Sequence, residues 1–398
     1  LKKKIVWIIL FALLISVFSI PKLYTAYADE EKKEEEKSMS DALDETFNSF
    51  DLSALENFLD QMEQEYSKSL GTTIKELFYG IVNGENTYDF NYFLNIILSI
   101  FLGEFRNILP TAISIIIIGV LYGILKNFTD NITSTGIRKI VYIACYGVML
   151  ALIMLLVSNC IIKTKNTINM LGSFIDIVFP ILLTLITSLG GTATVAIYQP
   201  LILILITVIF KIIEVVIFPL FYASLVFGLI SEMTDNVKLG KFTKTSKSAA
   251  NWILGIMFSI FITFTTAQGI TGASFDSLAT RGAKYALSSY VPVIGNYLKE
   301  GFDLVLASCI VIKNALGLSA IIVLIFLAII PIIKILTLIF TFKILSAIME
   351  PISDKKFANM LYSTSNALTL LVTIVICITF TLLIMFMLII YTCNWGVL

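Results

Sequence analysis

The sequence predicts an all-α fold: a polytopic helical membrane protein with a signal peptide and a small helical extracytoplasmic head at its N-terminus. Three observations predict it. Of the 398 residues, 58% are apolar and only 14% are charged, against roughly 25% charged in an average soluble domain, and the mean hydropathy is +0.92. The formal net charge is zero, but residues 29–92 carry 17 acids and 5 bases, whereas residues 93–398 carry 11 acids and 19 bases. That partition suits a head held off an anionic bilayer and basic loops that fix orientation against one. Finally, apolar runs long enough to cross a bilayer, which takes about 20 residues in a helix, recur from residue 108 to residue 391.

The first element is a signal peptide over residues 1–28. Lys2, Lys3 and Lys4 precede an apolar run from Ile5 to Ile20, and Ala26-Tyr27-Ala28 supplies the small-x-small pattern of a cleavage site. Cleavage before Asp29 is the simple reading; an uncleaved anchor is the alternative, since the run is nearly long enough to span. Either way residue 29 onward is expected outside the cytoplasm. Residues 29–92 form the acidic head. Its first part, 29–40, has Met39 as its one apolar residue and reads as a disordered tether. Leu52, Leu55, Phe58, Leu59, Met62 and Tyr66 then recur at helical spacing. Ser53-Ala54-Leu55-Glu56 is a possible capping box. A second short amphipathic helix is expected from Thr72 or Thr73 to Asn83-Gly84. So few helices cannot enclose a core, so their apolar stripes must meet one another, the membrane surface or a partner.

Residues 93–398 form the transmembrane domain. Its apolar segments run over 108–125, 140–162, 174–189, 195–217, 218–231, 251–273, 304–330, 332–349 and 366–391, which gives seven to nine spans. Gly190, Gly191, Pro219, Gly317 and Pro331 interrupt apolar runs and are helix-break candidates. They mark either broken helices that line a protein or watery interior or plain tight turns. Starting from outside, the basic residues Lys126, Arg138 and Lys139, and then Lys238, Lys241, Lys244 and Lys247, fall on the cytoplasmic side. Lys355 and Lys356 fall outside unless one doubtful segment after residue 303 fails to cross. A weak repeat is visible: Lys241-Phe242 with Ser248 and Asn251, and Lys356-Phe357 with Ser363 and Asn366, each open an apolar helix. Duplicated helical hairpins would produce it, as would chance among segments of low diversity.

Chemistry-bearing motifs are scarce. The chain has no histidine, which removes the side chain most used for acid–base work near neutral pH and the commonest metal ligand. The five cysteines stand singly in apolar surroundings, reading as buried apolar residues rather than a metal set. Phosphate-cradling G-x-x-x-x-G-K-[ST] is missing around Gly240-Lys241, as is G-x-S-x-G. The expectation is a protein that is not an enzyme, with no catalytic residues, no cofactor and no metal. Nor is there an aromatic-basic module for nucleic acid.

The polar residues worth attention lie within or between the spans. Lys211 and Glu214, three apart on one helix face, can pair, either at an interface with snorkelling stems or along a protein-lined polar path. Lys334 and Lys343 pose the same question. Residues 275–303 hold the richest polar insertion, including Arg281, Lys284, Pro292 and Gly295: a surface loop with an amphipathic helix, or a re-entrant segment lining a conduit.

Several spaced positions resemble one family. They are Phe179-Pro180-Ile181-Leu182-Leu183 followed by Gly190-Gly191 and Pro200, Arg281 with Ala283-Lys284-Tyr285, Pro292-Val293-Ile294-Gly295, and Lys313-Asn314-Ala315 with Gly317. Lys334-Ile335-Leu336-Thr337-Leu338 and the Glu350-Pro351 corner complete the set. On these residues the chain resembles the stage III sporulation protein AE family of endospore-forming bacteria, most strongly over residues 175–352. The resemblance implies a component of a secretion-like channel in the mother-cell membrane around the forespore, needed for late forespore gene expression. Implied partners are other stage III sporulation A proteins, including a cytoplasmic ATPase and ring-forming intermembrane proteins, a forespore-side channel partner, and the lipid bilayer. Lys313 and Asn314 join the candidate conduit residues on this ground. The head departs from the family at Ser67-Lys68-Ser69 and in its charged tether, which leaves its partner open. A secondary transporter or permease for a small solute is the alternative, for which broken helices, buried charges and a repeat are usual marks.

Overall fold

The computed structural model describes residues 53–70, 90–132, 135–233, 239–290 and 295–391. The expected signal peptide, the tether and the helix from Thr72 or Thr73 lie outside the described residues. Those described are helical almost throughout: α1 Ser53–Leu70, α2 Phe90–Ile132, α3 Thr135–Ser188, α4 Thr192–Ile212, a π-helical turn Ile213–Ile217, α5 Phe218–Met233, α6 Gly240–Tyr290, α7 Gly295–Ile352 and α8 Lys355–Tyr391. A helix satisfies its own backbone polar groups, so long apolar stretches without competing turn residues settle into it wherever water is scarce.

Among the described residues six helices are long and apolar enough to cross a membrane: Leu94–Phe128, Gly136–Ser188, Pro200–Met233, Gly240–Ala267, Leu306–Ile352 and Lys355–Tyr391. This corrects the expected seven to nine, because three pairs of apolar segments fuse. Segments 140–162 and 174–189 are both α3. Lys163, Lys165, Asn166 and Asn169 between them lower hydropathy without ending the helix, and Thr164 and Thr167 donate their hydroxyls to the carbonyls of Cys160 and Lys163 at 2.8 and 3.1 Å. Segments 195–217 and 218–231 form one rod in which α4 passes through the π turn into α5. Pro219 therefore sits just beyond a π turn rather than at a break. Segments 304–330 and 332–349 are both α7, which continues past Gly317 and Pro331. Pro331 removes one backbone N–H donor, a loss the rest of a long helix absorbs. At Gly317 an added Cβ would lie 2.4 Å from Cγ1 of Ile390, so the glycine serves close packing of α7 on α8.

Gly190 and Gly191 do end a helix. Gly190 has φ 84°, its N–H donates to Thr187 O and that of Gly191 to Ile186 O, both at 2.9 Å. This is the Schellman pattern, for which a glycine in the left-handed region is the usual solution.

Three helical hairpins, α2–α3, α5–α6 and α7–α8, turn at one end of the bundle. Lys126 Nζ donates to Asp354 Oδ2 at 2.9 Å, Tyr142 donates its hydroxyl to Met233 O at 3.3 Å, and the Lys356 ammonium stands 5.5 Å from the Tyr142 ring. The motifs Lys241-Phe242 and Lys356-Phe357 occupy equivalent places, the first turn of the returning helices α6 and α8. Lys247 of α6 donates to the carbonyl of Asn366 and to the Thr369 hydroxyl of α8. At the opposite end the turn after α3 rests on α7, through Leu189, Leu306 and Cys309.

Helix α7 occupies the centre, packed by α2, α3, α6 and α8, and 83% of its most apolar window is buried. α1 is not separate from this body. Leu55, Phe58, Leu59 and Met62 are buried in the same core as the spans, and the Phe58 ring lies 5.5 Å from that of Phe174 in α3. Its stripe thus meets a fourth surface, the flank of the bundle of the same chain, which was not among the three expected.

Candidate functional site

The polar residues expected to matter fall into different surroundings. Lys211 lies in the last turn of α4 and Glu214 in the π turn. They pair at 3.1 Å, and with side chains 69% and 68% exposed they face out of the chain rather than into it. Lys313 is fully buried in α7. Oδ1 of its neighbour Asn314 is buried and finds no hydrogen-bond partner among the described residues, a state that costs about 1–3 kcal/mol. Arg281 and Lys284 lie on the backbone of α6, which runs unbroken to Tyr290. Of the two readings given for 275–303, a surface loop with an amphipathic helix or a re-entrant segment, the backbone over 281–290 has the helix of the first. Gly295 is the first residue of α7, and Pro292 lies outside the described residues.

The structure also assembles a charged cleft, because α2, α3 and α7 bring Glu104, Lys163 and Lys334 together. Lys163 Nζ is 3.7 Å from Glu104 Oε1, with the carboxylate largely buried, 16% exposed, and the lysine 45% exposed. Asn159, Cys160, Thr164 and Pro331 continue the lining, and Ile108, Leu156, Ile335 and Leu338 form an apolar wall around a small cavity of about 40 Å³. Lys334 was visible as a lysine within an apolar run. Glu104 and Lys163 were missed, although Glu104 is the one acid between Leu94 and Phe128 and Lys163 opens the polar interruption of α3.

A polar face follows on α3. From Lys163 onward its exposed positions include Lys163, Lys165, Asn166, Asn169, Ser173 and Asp176. The Lys165 ammonium reaches over the Phe218 ring at 5.0 Å and the Tyr222 ring at 5.8 Å, close along the rod to the Lys211–Glu214 pair. Most of the charge described above lies on the flanks of the bundle; Lys313, fully buried in the central α7, is the exception. Among the described residues no group of three acidic, cysteine or histidine residues could hold a metal.

A profile of the family described as stage III sporulation protein AE matches residues 72–393, which takes in every span, the cleft and the polar face of α3. Over 354 residues the chain is 26% identical to the stage III sporulation protein AE of Bacillus subtilis (strain 168), covering 88% of this chain and 88% of that one. No solved structure matches. With more than half of its length matched by that profile, and with six apolar helices, the chain is a multi-pass membrane protein that belongs to the stage III sporulation protein AE family.

Proposed function

We propose that this protein acts in endospore formation as a non-enzymatic membrane component of a secretion-like channel linking mother cell and forespore, needed for late forespore gene expression. It would reside in the mother-cell membrane that surrounds the forespore. The observation that carries the reading is the contrast between a filled axis and charged flanks. Among the described residues α7 is buried at the centre and fills the axis of the bundle. The outward Lys211–Glu214 pair and the polar face of α3 are costly against lipid and useful against protein or water. A path is therefore built between this chain and its neighbours. Those neighbours are the other stage III sporulation A proteins, including a cytoplasmic ATPase and ring-forming intermembrane proteins, and a forespore-side channel partner.

Orientation follows from six crossings. The end where the three hairpins turn carries Lys126, Arg138, Lys139, Lys241, Lys244, Lys355 and Lys356, so the positive-inside rule makes it cytoplasmic. Fusion of the two segments in α7 removes the conflict at Lys355 and Lys356. The N-terminal head and the end of α8 then lie outside the cytoplasm.

The test is purification of the full chain in mild detergent from sporulating cells, with a photo-crosslinker at Asn169 or at Val148. Crosslinks from Asn169 to other stage III sporulation A proteins, and few from Val148, are expected. A transporter or permease is favoured instead by the π turn and the charged cleft, since π turns recur at functional sites. Solute uptake by the purified chain alone in proteoliposomes, with no protein crosslinked at Asn169, would replace the channel reading with that one.

A further inference from the structure

The rod formed by α4, the π turn and α5 carries an exposed stripe that suits neither lipid nor water. Leu201, Ile204, Val208, Lys211 and Val215 recur at intervals of three, four, three and four, the spacing of one helix face. The four apolar members are exposed, and Lys211 pairs outward with Glu214 at 3.1 Å, both side chains more than two-thirds exposed. Placed in hydrocarbon, the pair is costly. Placed at a headgroup layer, it leaves Leu201, Ile204 and Val208 beyond the hydrocarbon with nothing apolar to meet. A protein neighbour answers both, whatever the depth of the rod. The π turn adds a demand of its own. Phe218 N–H donates to Ile213 O and Pro219 has no N–H, so the Glu214 carbonyl lacks the helical donors four and five residues on. Because Glu214 is exposed, a donor has to reach that oxygen from outside the rod.

From these demands we infer that the flank of the α4–α5 rod is the docking surface for a second copy of this chain, the two rods lying parallel about a two-fold axis along the membrane normal. A two-fold contact sets the same patch on both sides, so a residue that meets another is met by its counterpart in return. A patch with one base and one acid close together is its own complement under that operation: Lys211 of each copy faces Glu214 of the other. An ammonium carries several N–H donors, which serve the carboxylate of its own chain, the carboxylate opposite and the bare Glu214 carbonyl. The spacing points the same way. A stripe that recurs about every 3.5 residues is the seam on which parallel helices pair, and one polar position within it fixes the register. An unrelated membrane protein would need an acid and a base in matching order on a helix of its own, whereas a second copy supplies both by symmetry. The contact requires no other sporulation protein and stands whether or not the assembly is a channel.

The experiment is cysteine crosslinking of the full chain in membranes of a host that makes no other sporulation protein, with two differently tagged copies expressed together. Val208→Cys reports on the stripe and Val148→Cys on the exposed face of α3. Oxidation is expected to join the two tagged copies through Val208→Cys, and through Val148→Cys no more than in wild type. Adding Glu214→Lys should lower the Val208→Cys dimer on the order of tenfold, because it sets like charges face to face. Lys211→Glu/Glu214→Lys should restore it, since the exchanged pair is again its own complement. The sharpest arm mixes single variants: a Lys211→Glu copy and a Glu214→Lys copy should crosslink with each other and poorly with themselves, which no other kind of partner would produce. A Val208→Cys dimer no stronger than that of Val148→Cys overturns the proposal, as does a dimer indifferent to these charges. A Val208→Cys adduct with a host protein in place of the dimer overturns the second copy in favour of another partner. Should the like-charge variants fail to accumulate, Val208→Cys against Val148→Cys with the native charges decides: a dimer through the first alone supports the contact, and none overturns it.

Discussion

The two halves of α3 bury similar residues and expose opposite ones. From Gly136 to Ile162 the outward positions include Ile137, Ile140, Ile143, Val148, Leu155 and Ile162. From Lys163 to Ser188 they include Lys163, Lys165, Asn166, Asn169, Ser173 and Asp176. Inward, Met149, Ile153 and Val157 in the first half and Phe174, Val178 and Leu182 in the second are alike in being buried and apolar. One helix therefore serves two solvents. The core sees a single packed rod, while the outer face passes from lipid to something polar near Lys163, the level of the cleft. Helix continuity is thus no guide to where the membrane ends; the composition of the exposed face is.

The largest expected effect tests that change of solvent. Val148→Lys would place an ammonium roughly 18 Å along α3 from Gly136, near the bilayer centre, where insertion costs about 2.5–3.5 kcal/mol. Asn169→Lys, on the polar half, should cost close to nothing. The fraction of each variant recovered in membranes as folded protein should fall sharply for the first and stay near wild type for the second. Equal recovery would mean that the first half does not face lipid.

A smaller effect is expected where helices approach closely on the turn-side half. A Cβ at Gly123 would stand 2.4 Å from the backbone carbonyl oxygen of Ile352, whereas one at Gly147 would meet nothing within 4 Å. Backbone cannot step aside as a side chain can, so Gly123→Ala should cost about 1–3 kcal/mol through overpacking. Gly147→Ala should be neutral or gain up to about 1 kcal/mol of helix propensity. Thermal unfolding in detergent should lower Tm for the first variant and leave or raise it for the second.

Much of this fold was legible. Apolar segments marked every rod, and Gly190-Gly191 marked the turn after α3, because a left-handed position with paired amide donors has few other solutions. The fusions were not legible. Lys163 to Ser173 depresses hydropathy as a loop would, yet threonine hydroxyls and long lysine stems keep a helix intact, and a window tuned to a 30 Å bilayer divides any rod much longer than that. Pro331 and Gly317 misled for a related reason: both punctuate sequence locally, whereas α7 is held by four neighbouring helices. Of the site, Lys211–Glu214 was readable because its partners are three residues apart. The Glu104–Lys163–Lys334 cleft was not, because its members come from three helices, and register between helices leaves no local trace.

At the hairpin turns the comparison concerns charge. Burial by itself would raise the carboxyl of Asp354. The backbone N–H of Lys356 and the ammonium of Lys126 outweigh it and hold that carboxyl below its ordinary value of 3.8. A depressed folded value contributes stability above the unfolded value and loses it as pH falls through the folded one. Asp354→Asn should therefore destabilise by no more than about 1 kcal/mol at neutral pH, as for other partly exposed pairs. The gap between variant and wild type should close progressively below about pH 4. A gap that persists unchanged at pH 2 would show that the aspartate acts through the turn's backbone rather than its charge.

The smallest effect on the isolated chain, and the most informative in cells, is expected at Lys211–Glu214. Both side chains are more than two-thirds exposed, and a surface pair at this spacing is worth about 0.2–0.5 kcal/mol. In detergent, where water reaches the flank, Glu214→Gln, Glu214→Lys and Lys211→Glu/Glu214→Lys should all unfold within a degree or two of wild type. If the proposed assembly forms, the same pair meets a neighbour within it, and the sign of each charge then matters. In sporulating cells Glu214→Lys should reduce late forespore gene expression more than Glu214→Gln, and adding Lys211→Glu should recover part of the loss. Protein levels in the membrane, measured alongside, separate failed assembly from failed insertion. Wild-type behaviour of all three variants in cells would assign the pair to the headgroup layer. The polar half of α3 would then remain, among the described residues, the flank proposed to meet partners.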